Sequence, residues 1–160
     1  MINIQSIPEA LKVSALFCLW RYEERKGKRT KVPYNPHTKG KAQPNNPDTF
    51  APFEVAVSAA DGFDGVGIGI FDDVCAVDID HCVNPETGEV SPMALGIVET
   101  MRSYTEISPS GKGVRILFKA PGSRYDKTRY YINNQKRGLE IYAAGVTQKY
   151  VTVTGNACAC

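Results

Sequence analysis

The run Val77-Asp78-Ile79-Asp80 places two carboxylates two residues apart in a segment that reads as a β-strand. Residues at that spacing face the same side of a strand, so Val77 and Ile79 point to a core while both acids point away from it. Two carboxylates held this close repel each other unless a cation lies between them, and hard oxygen ligands at that spacing suit Mg²⁺ or Mn²⁺. Taken alone, the pair also reads as a solvated strand end running into a turn. An EF-hand is excluded, because Val83 stands where the loop requires Gly.

Three further clusters carry chemistry. Ser108-Pro-Ser-Gly-Lys-Gly-Val-Arg115 lies between two strand-like segments. It is not a Walker A loop, because Glu106 replaces the first Gly and Gly113 replaces the Ser or Thr. Its glycines, Ser108, Ser110, Lys112 and Arg115 could still gather backbone N–H groups and positive charge around a phosphate. A plain hairpin turn, with Gly for positive φ, accounts for the same residues. In Gly138-Leu-Glu-Ile-Tyr142, Glu140 and Tyr142 share a face opposite Leu139 and Ile141, so Glu140 is a candidate third metal ligand and Tyr142 a candidate contact for sugar or base. Lys28-Arg-Thr-Lys-Val-Pro-Tyr34 sets Lys28, Arg29 and Lys31 beside Tyr34, a combination that can contact phosphates and stack a base. A charged hairpin tip has the same composition.

The elements that must position these residues follow from periodicity. It predicts a short helix over 8–17, a hairpin of strands 18–24 and 30–34, and a helix over 50–60 that Asp48 can cap. Strands follow at 65–71 and 74–80, then a helix over 92–102 with Ser91 as its cap and Pro92 at its first turn. Four more strands are expected at 104–108, 114–120, 139–143 and 150–154. The order α-β-β-α-β-β-α-β-β-β-β indicates an α+β protein with a largely antiparallel sheet.

The chain of 160 residues is long enough for one domain with a real core, and 42% apolar with 22% charged residues argues against disorder. Lys plus Arg number 19 against 17 Asp plus Glu, a net charge of +2, so any basic nucleic-acid surface must be local. No apolar run approaches a membrane span, and residues 1–10 lack a secretory signal's layout. Five irregularly spaced cysteines do not form a disulfide framework, which points to a reducing cytoplasm. Only Cys158-Ala-Cys160 and His81-Cys82 are spaced closely enough to begin a zinc site.

Six blocks in order resemble the bifunctional DNA primase/polymerase domain of phages and plasmids, a branch of the archaeo-eukaryotic primase superfamily. They are Lys31-Val-Pro-Tyr-Asn-Pro36, Gly65-Val-Gly-Ile-Gly69, Val77-Asp-Ile-Asp-His81, Ser103-Tyr-Thr-Glu-Ile-Ser-Pro-Ser-Gly-Lys-Gly113, Leu139-Glu-Ile-Tyr142 and Tyr150-Val-Thr-Val-Thr-Gly155. The resemblance implies that Asp78, Asp80 and Glu140 are the acidic metal ligands and that the Ser-Pro-Ser-Gly loop holds an incoming triphosphate. It implies a small N-terminal α/β module packed on an RRM-like catalytic module. It also implies nucleoside triphosphates and a DNA template and primer as substrates, a fused or separate helicase as partner, and a longer replication protein of which residues 1–160 are the N-terminal part. Arg115 stands where many relatives carry His. Arg neutralises phosphate charge at any relevant pH but cannot serve as a titrating imidazole. Lys149 stands near the position of an Arg in relatives. A non-catalytic nucleotide- or nucleic-acid-binding domain is the competing expectation.

Overall fold

A computed structural model describes residues 3–160. Strands β1 (Phe17–Arg25) and β2 (Lys28–Tyr34) form a hairpin across Lys26-Gly27, both with positive φ, as a tight two-residue turn requires. Strands β3 (Gly65–Gly69) and β9 (Tyr150–Val153) complete a first sheet in the order β2-β1-β3-β9. The second sheet takes the order β5-β6-β4-β8-β7. Its members are β4 (Val74–Ile79), β5 (Tyr104–Ile107), β6 (Val114–Lys119), β7 (Asn133–Asn134) and β8 (Leu139–Tyr142). Every strand pairing is antiparallel.

Helices are few and short. Leu11 of α1 (Glu9–Ser14) and Phe53 and Ala56 of α2 (Phe53–Ser58) pack on Phe17, Leu19, Val66, Ile68, Val151 and Val153 of the first sheet. Ala94 and Val98 of α3 (Pro92–Met101) pack on Val77, Ile79, Val114 and Ile116 of the second. Because side chains alternate along a strand, covering that face of β4 and β6 sends Asp78 and Arg115 to the opposite one. The Ser91 hydroxyl accepts from the Ala94 N–H at the start of α3, and Arg102 ends it in the left-handed conformation.

The last strand ties the sheets together. β9 belongs to the first sheet, yet the residues after it run along β5: the Ile107 N–H donates to the Asn156 carbonyl, and the Cys158 N–H to the Thr105 carbonyl, each at 2.8 Å. The first sheet is therefore completed by the C-terminal part of the chain rather than built from N-terminal residues alone.

Several sequence expectations are corrected. The antiparallel strands are divided between two sheets. The helix expected over 8–17 ends at Ser14, because Phe17 exchanges two backbone hydrogen bonds with Ala51 and opens β1. The same pairing keeps Ala51 extended, as does the proline after it, so the helix expected over 50–60 begins at Phe53. Asp48 lies in a 3-10 turn capped by the Asn46 side chain instead of capping α2. Strand β7 consists of two asparagines and carries no strand signal. Cys158 and Cys160 are joined as a disulfide, whereas Cys18, Cys75 and Cys82 are free and buried. Among the described residues no helix is long and apolar enough to cross a membrane.

Candidate active site

Strand β4 is the middle strand of the second sheet, so Asp78 has a partner on each side. It opposes Arg115 of β6 and Glu140 of β8. Glu106 opposes Arg115 from β5, and Asn133 opposes Glu140 from β7. Directly opposed residues of an antiparallel pair share a face. Glu106, Arg115, Asp78, Glu140 and Asn133 thus form one polar row across the sheet.

The centre of the row is buried, with Arg115 5% and Asp78 8% exposed. The Arg115 Nε and Nη2 groups donate to Asp78 Oδ1 at 3.0 and 2.9 Å, and Nη1 donates to the carbonyl and the hydroxyl of Thr152 in β9. Arg115 therefore fastens the acidic row to the first sheet. Burial pushes the Asp78 carboxyl above the usual carboxylate range, while the Arg115 charge pulls it back. A pocket of about 190 Å³ opens over this pair, with Lys31, Tyr142, Tyr150 and Thr152 in its wall. Burial, reinforced by the Arg115 charge, lowers the Lys31 ammonium below the usual lysine range; Asp78 and Asp80 act in the opposite direction. The buried Tyr150 hydroxyl has no hydrogen-bond partner among the described residues. Its ring occupies space that Gly67 leaves open, since a Cβ there would lie 2.7 Å from it.

Asp80 lies one residue beyond β4 and is exposed. Its backbone is held between two glycines. Its N–H donates to the Gly138 carbonyl at 2.8 Å, and a Cβ on Gly138, whose φ is +62°, would stand 2.7 Å from the Asp80 oxygen. A Cβ on Gly113 would stand 2.8 Å from the Ile79 carbonyl oxygen. The second glycine of the Ser-Pro-Ser-Gly-Lys-Gly turn thus lets that turn approach the acidic strand end. Within the turn, the Ser108 and Ser110 hydroxyls are 3.1 Å apart, and the Gly111 N–H donates to the Ser108 carbonyl. Ser108 is buried, while Ser110 and Lys112 are exposed. Arg115 is not gathered into this turn with Lys112; its guanidinium is engaged by Asp78 and Thr152.

Glu140 meets Lys149 in an ion pair and accepts from the Tyr142 hydroxyl at 3.0 Å. Tyr142 is buried in the pocket wall, and burial, with Asp78 and Glu140 nearby, raises its hydroxyl above the usual tyrosine range. The four residues expected at a nucleic-acid surface are separated. Lys28 and Arg29 are exposed at the hairpin tip, with Arg29 stacked 3.8 Å from the Tyr22 ring centroid. Lys31 turns to the Asp78 pocket. Tyr34 lies in the core, 4% exposed, with its hydroxyl bonded to Glu23, and leaves no face for a base. Sequence reasoning missed Glu106, Tyr150 and Thr152. The alternation of polar and apolar residues through 150–153 was the signal for the last two. Glu106 gave none, because a lone strand acid has no partner until register supplies one.

Three carboxylates are the hard oxygen donors that Mg²⁺ or Mn²⁺ prefers. In this arrangement Arg115 and Lys149 hold the countercharge for Asp78 and Glu140. Among the described residues no group of three or more His, Cys, Asp or Glu side chains is gathered tightly enough to hold a metal ion.

Comparison with known proteins relates the chain to the primase-polymerases. No family model matches it. Among curated proteins it is similar to the DNA primase-polymerase of Nitratiruptor phage NrS-1, at 29% identity over 160 positions covering 95% of this chain. The chain spans 21% of the length of that relative.

Proposed function

We propose that this chain is a DNA primase/polymerase domain of the archaeo-eukaryotic primase type that performs template-directed nucleotidyl transfer in phage or plasmid replication. The observation that carries the reading is the register that makes Glu140 and Arg115 the two direct neighbours of Asp78, with Asp80 held beside a glycine-flanked basic turn. The strand order β5-β6-β4-β8, with α3 between β4 and β5, supports the RRM-like reading of the catalytic sheet. The similarity to a phage DNA primase-polymerase supports the substrate classes, nucleoside triphosphates and a DNA template and primer. A helicase partner and a cytoplasmic location follow from the same reading.

Asp78, Asp80 and Glu140 would hold Mg²⁺ or Mn²⁺. Such ions, when bound, lower the pKa of a primer hydroxyl and stabilise the leaving pyrophosphate. The chain's own residues do the positioning. Lys112 and Ser110, exposed on the turn, face the triphosphate, and the turn's backbone N–H groups add to the positive field. Arg115 fixes the orientation of Asp78 rather than reaching phosphate. Lys149 holds Glu140 and must yield some of that contact when a cation arrives.

Primer extension with Mg²⁺ and Mn²⁺ compared tests the reading. Asp80→Ala, at an exposed side chain, should abolish metal-dependent incorporation while the far-UV circular dichroism spectrum survives, and Asp78→Ala should abolish it with a loss of stability from the unpaired Arg115. Full extension by a folded double variant would refute it. A second reading, a domain that binds nucleotide or nucleic acid without catalysis, draws on the countercharges already present on Asp78 and Glu140. It requires DNA binding that is salt-sensitive and metal-independent, whereas a catalytic site binds dNTP only with Mn²⁺ and loses it in Asp80→Ala.

A further inference from the structure

Residues 120–137, which lead from β6 through β7 towards β8, hold Arg124, Lys127, Arg129, Lys136 and Arg137 against a single acid, Asp126. Their local charge of +4 exceeds the +2 of the whole chain, so the rest of the molecule is net acidic. All five cations are exposed, and none forms an ion pair among the described residues. Asp126 does not neutralise them, because its carboxylate accepts the N–H and the hydroxyl of Thr128 at 2.8 and 2.6 Å within its own turn. A local excess of this kind attracts a polyanion.

Charge alone would also fit a solvated loop; the rings beside it do not. Among the described residues Tyr130 and Tyr131 are the only exposed aromatic side chains, at 56% and 83%. Neither is stacked on another ring or covered by a cation. They are presented from a fixed backbone. The Arg129 and Tyr130 N–H groups donate to the Asp126 carbonyl at 3.1 Å, and the Tyr125 hydroxyl donates to the Tyr130 carbonyl at 2.6 Å. One residue past Tyr131, the Ile132 carbonyl accepts from Ile141 of β8 at 2.7 Å. An open hollow of about 810 Å³ then runs from Tyr131 along Asn133, Asn134 and Gln135 to Lys136. Asn133 is the outer member of the polar row and pairs with Glu140, so the hollow ends beside the candidate acids.

We infer that this surface binds single-stranded DNA, with phosphates on the basic side chains and an unpaired base stacked on Tyr131. Aromatic faces bind bases of any sequence in this way, and cations beside them track the backbone. Asn133, Asn134 and Gln135 each carry a donor and an acceptor, which suits the edge of any base. A duplex hides its base faces in the stack and has nothing for Tyr131. The inference rests on the reading of this chain as a DNA-copying domain for the identity of the strand, the unpaired template. It does not rest on the metal chemistry, since phosphates and bases are what the surface grips. Metal-dependent dNTP binding still separates the catalytic reading from its alternative.

A fluorescein-labelled oligothymidylate is titrated with the protein in chelator across a series of KCl concentrations, with anisotropy as the readout. Tyr131→Ala should weaken binding about tenfold at every salt concentration, and Tyr131→Phe should not. Lys136→Ala combined with Arg137→Ala should weaken binding and flatten the slope of log affinity against log salt by about 1.4, at ~0.7 per phosphate contact. All three side chains are exposed, so thermal melts should be unchanged. Binding with this pattern by a chain that extends no primer upholds the surface and removes the catalytic reading; primer extension without it does the reverse. Unaltered affinity in Tyr131→Ala would overturn the inference. So would a greater loss on removing Lys28 and Arg29 than on removing Lys136 and Arg137, or binding of anionic phospholipid vesicles through these residues without binding of the oligothymidylate.

Discussion

Arg115 makes contacts to two different sheets with one planar group, and that explains why a lysine would not replace it. Its partner Asp78 is buried, so removing either member strands the other. Arg115→Leu should destabilise the fold by about 3–5 kcal/mol, the usual consequence of breaking a buried pair. Adding Asp78→Asn should restore a good part of that loss, since no charge is then left unpaired; urea denaturation of the two single variants and the double variant measures the coupling. Glu106, fully buried, is held by the N–H groups of Thr154 and Gly155 at 3.0 Å each. Burial nevertheless raises its carboxyl above the usual range, against the pull of those N–H groups. A raised folded value means the folded state holds the proton more tightly than the unfolded state. That contribution is present at acid pH and is lost as pH rises through the raised value. The stability difference between Glu106→Gln and the unaltered protein should therefore move in the variant's favour from acid to neutral pH, read as denaturation midpoints across that range. The alternation through 77–80 and 139–142 made it legible that these acids leave the core. It could not reveal that Arg115 is engaged inward or that Tyr34 is buried, because both depend on what the other sheet brings opposite them.

Elements bounded by strong local chemistry were the readable ones. Ser91 with Pro92 marked the start of α3, and Lys26-Gly27 marked the hairpin, because a cap and a tight turn are decided within a few residues. The first two helices were read too long, since the pairing of Phe17 with Ala51 is a contact across more than thirty residues that no local pattern announces. Glycines in strands show the same limit. Gly67 reads only as a weak strand residue, yet it is the floor on which the Tyr150 ring rests. Gly67→Ala should destabilise by about 1–3 kcal/mol through overpacking and widen the pocket mouth by displacing Tyr150. Adding Tyr150→Leu should relieve most of the loss in thermal melts, because the ring is the atom group in the way.

At the scale of the molecule, two sheets that each carry a polar face are closed by the last strand. Thr152 accepts from Arg115, and the N–H groups of the two residues after β9 donate to Glu106, so one end of the polar row is anchored by residues 152–155. Which sheet β9 would join was not legible, since its apolar alternation suits either. Truncation after Gly145 should cost the pocket as well as stability: expect loss of cooperative unfolding and of any Mn²⁺-dependent dNTP binding, by calorimetry, even though Asp78, Asp80 and Glu140 all remain. The same closure has a consequence for biosynthesis. Domains emerge from the ribosome N-terminal part first, so the acids are translated and exposed well before the strand that completes their surroundings. The surroundings of Asp78 and Arg115 are completed only once residues 150–155 are free of the ribosome, and a nascent chain stalled earlier carries the acids without that pocket.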